Sequence, residues 1–253
     1  MVYNINTAKE NPIRARNLYT DTDKIYFGMD NGELGIELGV FDGVNKPEVL
    51  NDIKLGSLGS TPDYIIKYNN KLFFQADTGN GKELWVHDLL TDAVTEFDIY
   101  IGSLSSTPSN FVIYNNSLFF QATDSASGTE LWTFDTITNT PILFYDFEKG
   151  PSDSDPSYFQ EFNNKLYFNA TTDSTGEELW VYDGANQPEL VFDMQPGTGN
   201  SSPRYLTIYR DKLYYQGLYG DLSVYDDVTD PYRLSSSPDA VSYLTVFNDK
   251  LYF

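Results

Sequence analysis

Pairs of carboxylates recur in the loops between the second and third predicted strands of three sequence repeats. Calcium ions bind six to eight oxygens, and carboxylates together with the carbonyls of a glycine-bent loop can supply them. Ordinary hairpin turns use the same residue types, and the spacing differs from that of an EF-hand, so a plain turn is the alternative interpretation. No other cofactor is indicated. The candidate metal-binding pairs are Asp77 with Glu83, Asp124 with Glu130, and Asp173 with Glu178.

A second set of polar residues follows the proline near the start of each repeat. These residues differ from repeat to repeat, and they include three of the five arginines of the chain. In an acidic protein, arginines at equivalent loop positions indicate a site for an anion or for the hydroxyl face of a sugar. Balancing of local charge is the alternative interpretation. The candidate ligand-binding residues are Arg14, Arg16, Asp63, Asn110, Ser157, Arg204 and Asp239.

The usual catalytic side chains are scarce. The absence of cysteine excludes thiol nucleophiles, disulfides and cysteine-based zinc sites, and His87 is the only histidine. His87 occupies a strand position where sister repeats have Phe or Tyr, which predicts a packing role. Because no nucleophile motif, phosphate-binding loop or metal triad is present, a non-catalytic protein is favoured over an enzyme. A carboxylate pair hidden among the 37 acidic residues is the alternative.

The net charge of the chain restricts its partners. A formal charge of -21 and a pI near 4.1 create a field that repels phosphate backbones, so no nucleic-acid partner is expected. No apolar run approaches the ~20 residues that a membrane-spanning helix needs, so no transmembrane segment is expected.

These candidate residues belong to a tandem repeat. The consensus copy contains a Pro, an apolar strand, an Asn-rich turn, a Lys-Leu-aromatic-aromatic strand, a Gly-containing turn and a Glu-Leu-Trp strand, before a fourth strand. Asn and Asp tolerate the positive φ of a two-residue type I′ turn, so each Asn-rich pair predicts a hairpin. The repeats of this single predicted domain span about 12–61, 62–107, 108–155, 156–202, 203–237, and 238–253 together with 1–11.

Large apolar side chains are predicted on both faces of the second strand. Leu72 and Phe74 point to one face of the sheet while Phe73 points to the other. A two-layer sandwich leaves one face of each sheet in water, whereas a propeller packs every blade between two neighbours. The sequence therefore predicts an all-β fold, a six-bladed β-propeller of four-stranded antiparallel blades with the first strand innermost.

The sixth blade is predicted to close the ring. Residues 2–6 align with the fourth strand of another repeat and are expected to form its outermost strand, beside two strands from residues 243–253. This closure joins the chain ends and masks edge strands. The third strand of this blade is missing, so the blade is predicted to lack one strand.

Two residue types recur at equivalent positions of several copies and are therefore predicted to serve the scaffold. The three tryptophans are expected to pack between blades. An aspartate at the end of each third strand is expected to cap the following turn through hydrogen bonds from its side chain to the backbone. These aspartates are Asp42, Asp88, Asp135, Asp183 and Asp226.

The third strands carry the motif Glu-Leu-Trp-x-x-Asp in three copies, at Glu83, Glu130 and Glu178, and eroded forms begin at Glu37 and Asp221. Over nearly the whole chain this pattern resembles the ELWxxDGT-repeat proteins. That resemblance implies a propeller-forming repeat common in secreted and surface proteins of bacteria, and so an extracellular or cell-surface location. The final Asp-Gly of the motif is present only at residues 42–43 and 183–184.

The leading functional hypothesis is a non-catalytic binding or adhesion module that presents its loops to a glycan or a protein. One alternative is a propeller glycoside hydrolase or lyase that uses carboxylates at the mouth of the central channel. Another is a structural component of an extracellular filament or layer.

Overall fold

The structure of the chain is a computed structural model that describes residues 16–30, 32–235 and 240–253. These residues form 22 β-strands and one turn of 3-10 helix at Leu218–Gly220, and no α-helix occurs among them. The all-β prediction is confirmed. Within the same described ranges, no helix has the length and apolar character needed to cross a bilayer.

The strands form five four-stranded sheets in which neighbours in sequence pair as antiparallel hairpins. The first two sheets consist of β1 (Arg16–Thr20), β2 (Ile25–Asp30), β3 (Ile36–Phe41) and β4 (Glu48–Asn51), then β5 (Asp63–Tyr68), β6 (Lys71–Asp77), β7 (Lys82–Asp88) and β8 (Val94–Phe97). The third consists of β9 (Ser109–Tyr114), β10 (Ser117–Asp124), β11 (Gly128–Asp135) and β12 (Thr140–Tyr145).

The remaining strands repeat the same pattern. The fourth sheet consists of β13 (Ser157–Phe162), β14 (Lys165–Thr172), β15 (Gly176–Tyr182) and β16 (Glu189–Phe192), and the fifth of β17 (Arg204–Tyr209), β18 (Lys212–Gln216), β19 (Leu222–Tyr225) and β20 (Tyr232–Ser235). A two-stranded hairpin of β21 (Thr245–Phe247) and β22 (Lys250–Tyr252) follows.

The predicted turns between first and second strands are confirmed. Both residues of each pair have positive φ, for example 48° at Asn69 and 58° at Asn70. The same conformation recurs at Asn115–Asn116, Asn163–Asn164 and Asn248–Asp249. The aspartates that end the third strands also cap the next turn as predicted. In Asp183, Oδ1 accepts hydrogen bonds of 2.8 Å from the backbone N–H groups of Ala185 and Asn186.

Apolar side chains on both faces of the second strands are buried, as predicted. Leu72, Phe73 and Phe74 are inaccessible to solvent. Clusters join side chains of successive sheets, and two of the three tryptophans pack against them. Trp85 packs against a cluster shared by the first and second sheets, and Trp180 against one shared by the third and fourth.

The chain divides into two compact units. Unit 1 contains the described residues of Met1–Phe111 with Ala122–Ser125, and unit 2 contains those of Val112–Gln121 with Ala126–Phe253. Within unit 1 the first strands β1 and β5 are in contact, and within unit 2 β13 contacts β17, which contacts β21. First strands of successive sheets are therefore neighbours, as expected for the inner strands of propeller blades. Residues 2–6, the predicted closing strand, lie outside the described residues, so six-bladed closure stays a prediction.

Candidate functional site

The predicted ligand-binding residues lie at the starts of the first strands. Asp63, Ser157 and Arg204 are the first residues of β5, β13 and β17, and Asn110 is the second residue of β9. Arg16 begins β1, but its side chain is outside the described part, as are the whole of Arg14 and Asp239. We call the strand starts Arg16–Asn17, Asp63–Tyr64 and Ser109–Asn110 the unit 1 rim. The equivalent residues Ser157–Tyr158, Arg204–Tyr205 and Ser242–Tyr243 form the unit 2 rim.

A β-bulge follows the first residue of these strands. In the fourth sheet Ser157 pairs with Asn169, but the next pair is Gln160 with Tyr167, so the first strand contains one extra residue. Similar shifts occur in β1, β5 and β17. Bulges bend a strand and redirect a side chain, often next to a functional site. The second residues of five first strands have φ of 53–57°, and they are Asn17, Tyr64, Asn110, Tyr158 and Tyr205. Tyr243, two residues before β21, has φ of 53°.

Asparagine tolerates this left-handed conformation, whereas tyrosine is strained by it, at a cost of ~1–2 kcal/mol per residue. Three of the strained tyrosines contact one another in unit 2. The ring centroids of Tyr158 and Tyr205 are 5.7 Å apart, and those of Tyr205 and Tyr243 are 5.0 Å apart. Tyr158 is 36% exposed and Tyr243 is 76% exposed. We call Tyr158, Tyr205 and Tyr243 the tyrosine row.

The tyrosine row is not among the residues predicted from the sequence. The prediction selected polar residues that differ between repeats, and two of these, Ser157 and Arg204, directly precede Tyr158 and Tyr205. A signal was present. A tyrosine stands two residues after three of the repeat prolines, at Tyr64, Tyr158 and Tyr205.

Charged and polar groups lie beside the unit 2 rim. The Arg204 Nη2 atom is 3.8 Å from the Glu177 Oε2 atom. Ser202 Oγ donates a 2.7 Å hydrogen bond to the same oxygen, and Asn169 Nδ2 donates one of 2.7 Å to Glu177 Oε1. Ser157 donates to Asn169 Oδ1 through both N–H and Oγ, so its hydroxyl is used inside the fourth sheet.

Asp155 precedes the same rim. Burial, followed by the nearby carboxylates of Asp153 and Glu177, raises its pKa above the ordinary value. Gln121 Nε2 donates a 3.2 Å hydrogen bond to Asp155 Oδ1.

The unit 1 rim carries one tyrosine, Tyr64, between two asparagines. A depression of about 250 Å³ lies between β1 and β5, and its lining includes Asn17, Asp63 and Tyr64. A second, of about 270 Å³, is lined by Tyr64, Asn110 and their neighbours. The structure therefore brings the predicted residues Asp63 and Asn110 close to Tyr64. Asp63 Oδ1 accepts a 2.7 Å hydrogen bond from the Tyr64 N–H.

The three candidate metal-binding glutamates accept hydrogen bonds inside the fold. Glu83, Glu130 and Glu178 are buried, and each accepts a hydrogen bond from a serine in the segment that leads to the next sheet. Glu37 does the same, so four sheets share this arrangement. The Glu–Ser pairs are Glu37 with Ser60, Glu83 with Ser106, Glu130 with Ser154, and Glu178 with Ser201.

Each of the first three serines also reaches the following sheet through its backbone carbonyl. The carbonyl of Ser60 accepts from the N–H of Asp77 at 2.9 Å, and that of Ser106 from Thr123 at 2.9 Å. The Glu–Ser pairs thus connect successive sheets. The sequence also indicates this arrangement, because a serine stands two residues before five of the six repeat prolines.

The pairing of Ala76 with Glu83 across β6 and β7 places the glutamate on the sheet face opposite Asp77, whose Oδ1 accepts from the N–H of Gly79 at 2.6 Å. This pair therefore does not converge on one ion. Among the described residues, no group of three or more His, Asp or Glu side chains lies close enough to hold a metal.

The calcium prediction stays open to a direct test in solution. Calcium bound by the carboxylate loops raises the melting temperature, because an ion that binds only the folded state stabilises it. The measurement is differential scanning calorimetry of protein treated with EDTA and then resupplied with calcium. An unchanged melting temperature, together with no heat of calcium binding in titration calorimetry, contradicts the prediction.

His87 is buried at the junction of the first two sheets. Its Nδ1 atom is hydrogen-bonded to Asn51 Oδ1, and its Nε2 atom lies 3.2 Å from Asp92 Oδ1. Burial lowers the pKa of the imidazole, although Asp92 and Asp88 oppose this effect. These contacts agree with the packing role expected from the sequence.

The similarity of this chain to known proteins is a similarity of fold. No family model matches the chain, and no curated protein matches it. It is similar to a structure from a study of two prolyl endopeptidases, with 14% identity and a TM-score of 0.57 over 94% of this chain and 38% of that one. It is also similar to the dihydro-heme d1 dehydrogenase NirN, with 14% identity and a TM-score of 0.53 over 89% of this chain and 50% of that one.

A third similar structure is the β-propeller domain of the Trilobed protease from Pyrococcus furiosus, with 13% identity and a TM-score of 0.43 over 93% of this chain and 89% of that one. The chain spans half or less of the first two proteins. The repeated four-stranded sheets, with their first strands as neighbours, form a propeller-like all-β fold.

Proposed function

We propose that this chain is a non-catalytic binding module, secreted or displayed on the cell surface, that holds a glycan or a protein at its first-strand rims. One observation carries this proposal. Tyrosine occupies strained left-handed positions at the first-strand rims that asparagine fills at lower cost in β1 and β9. A strained residue persists where a compensating interaction exists, yet much of Tyr243 remains exposed to solvent.

The chemistry of the unit 2 rim also supports a binding role. Tyrosine and arginine are enriched among the residues that dominate binding energy, because both offer large contact areas and directional hydrogen bonds. Arg204 and the tyrosine row provide both types at adjacent strand starts. The extracellular location rests on the resemblance to ELWxxDGT repeats.

The test is capture by the immobilised protein on a glycan array and from cell-surface extracts. We expect wild type to retain a ligand and the triple variant Tyr158→Asn, Tyr205→Asn, Tyr243→Asn to lose it. The matched control is Ile137→Asn, which removes an apolar side chain that is 94% exposed on a turn and distant in sequence from the rim. Equal retention by wild type and the triple variant, or no retained ligand in either assay, overturns the proposal.

A glycoside hydrolase or lyase is the second candidate, and Asp155 is the observation that favours it. A general acid must stay protonated near neutral pH, and burial with neighbouring carboxylates raises the pKa of Asp155 in that direction. The experiment is release of reducing ends from a polysaccharide panel by wild type and Asp155→Asn. Activity in wild type that the substitution abolishes replaces the binding proposal with this one.

A further inference from the structure

We infer that the tyrosine row binds an uncharged, extended oligosaccharide chain, an inference that rests on the proposed binding function and names its ligand. The site consists of Tyr158, Tyr205 and Tyr243 with the side chains of Arg204 and Glu177.

The ring geometry fits a sugar chain. The planes of Tyr158 and Tyr205 are inclined by 69° and those of Tyr205 and Tyr243 by 42°, so the rings touch without stacking flat on each other. They form a continuous apolar strip that crosses the starts of β13 and β17 and the segment just before β21. The face of an aromatic ring carries partial negative charge, which attracts the polarised C–H groups on the flat face of a pyranose ring. A strip of this kind suits several sugar units in sequence.

The charges around the strip favour a neutral ligand. Arg204 directly precedes Tyr205, and its side chain is 46% exposed, so a cationic ligand on the row meets a like charge. The carboxylate of Glu177 borders the same rim, and the whole chain carries a formal charge of -21, so an anionic ligand is repelled. Uncharged hydroxyl groups avoid both penalties.

The polar side chains provide hydrogen bonds for such hydroxyls. The guanidinium of Arg204 offers a planar set of donors, and the carboxylate of Glu177 offers acceptors within 3.8 Å of it. Ser202 and Asn169 donate to Glu177 and hold it in place. A few fixed polar groups beside an apolar platform are the usual composition of small-ligand sites.

The competing explanation for the tyrosine row is that its rings only pack against one another. A residue of the unit 1 rim distinguishes ring packing from ligand binding. Tyr64 has the same bulge, with φ of 53°, and is 47% exposed, but its equivalents in the adjacent strands are Asn17 and Asn110. Tyr64 therefore has the same backbone strain as the tyrosine row but has no tyrosine at the equivalent positions of the adjacent strands. Tyr64→Asn is a matched control for Tyr205→Asn.

The experiment is titration calorimetry of the whole chain with neutral hexasaccharides, namely cellohexaose, xylohexaose, mannohexaose and maltohexaose. Hexagalacturonic acid and the chitosan hexamer serve as anionic and cationic probes. We expect at least one neutral probe to bind wild type and Tyr64→Asn equally, and to bind Tyr205→Asn about tenfold more weakly. We expect the melting temperature of Tyr205→Asn to stay near that of wild type, because relief of the left-handed strain offsets the packing that Tyr205 loses against the buried Leu222, Val241 and Leu244.

Tighter binding of a charged probe, or equal loss of binding in Tyr64→Asn, overturns the inference. If no hexasaccharide binds but a protein is captured from surface extracts through the tyrosine row, the saccharide inference fails while the binding function stands. If neither a saccharide nor a protein is captured, both fail.

Discussion

Replacing Glu83 by Ala lowers the free energy of unfolding by about 3–5 kcal/mol, because the substitution leaves three donors without their acceptor. Glu83 accepts from the N–H and the hydroxyl of Ser106, and from the N–H of Ile99 at 2.9 Å. Buried donors that lose their partner pay the full cost of desolvation. The substitution also loosens the segment around Ser106. The backbone carbonyl of Ser106 accepts a hydrogen bond from the N–H of Thr123 in the third sheet.

The measurement is urea denaturation followed by tyrosine and tryptophan fluorescence. Glu189→Ala is the matched control, because it replaces a glutamate that lies exposed on β16. Glu83→Gln is expected to show an intermediate loss, since its amide retains one acceptor oxygen and a similar shape. A Glu83→Ala variant as stable as Glu189→Ala contradicts a connecting role for the Glu–Ser pairs.

The second large effect is a dependence of stability on pH that Glu130 dominates. Burial raises the pKa of this carboxyl to about 8, and the nearby carboxylates of Asp146 and Asp153 add to the effect. Glu130 accepts from Ser154 Oγ at 2.7 Å and from the N–H of Phe147 at 3.2 Å, whereas the N–H of Ser154 donates to the carbonyl of Thr129 instead. Glu83 accepts three hydrogen bonds whereas Glu130 accepts two, so more of the desolvation cost of the buried carboxylate is compensated at Glu83.

The direction of the pH dependence follows from proton binding. Between the ordinary carboxyl pKa of 4.5 and about 8, the folded state holds a proton on Glu130 that the unfolded state releases. Raising the pH through this window therefore lowers the free energy of unfolding, by at most about 1.4 kcal/mol per pH unit. His87 acts in the opposite direction, because its lowered pKa makes acid below its ordinary pKa of 6.5 destabilising.

Urea denaturation between pH 6.5 and pH 8 avoids most of the contribution of His87. We expect wild type to lose stability across this range by roughly 2 kcal/mol, and Glu130→Gln to lose much less. The substitution Glu189→Gln makes the same chemical change at an exposed position of β16 and should preserve the wild-type slope. Parallel slopes for wild type and Glu130→Gln would show that Glu130 is ionised in the folded state throughout this range.

The candidate site was only partly predictable from the sequence. The positions of Asp63, Ser157 and Arg204 at strand starts followed from the repeat prolines, because the strands begin there. The importance of their neighbours did not follow, since a bulge depends on how two strands pair. The register shift between Ser157 and Gln160 turns Tyr158 out of the regular alternation of the strand.

The role of the third-strand glutamates shows the same limit. From the sequence they were candidates for metal binding, because their loops combine carboxylates with glycine. The deciding fact is that Ser106 lies 23 residues after Glu83, beyond a whole fourth strand, and meets it only when the sheet is formed. Local spacing carries no information about that contact.

The sequence by itself determined the repeat, the antiparallel hairpins and their turn conformations, because alternation of apolar residues and the φ tolerance of Asn act over a few residues. The tertiary structure decided which polar groups are buried together and which rings are exposed side by side. Residues far apart in the chain, such as Tyr158, Tyr205 and Tyr243, become neighbours only when successive sheets align their first strands.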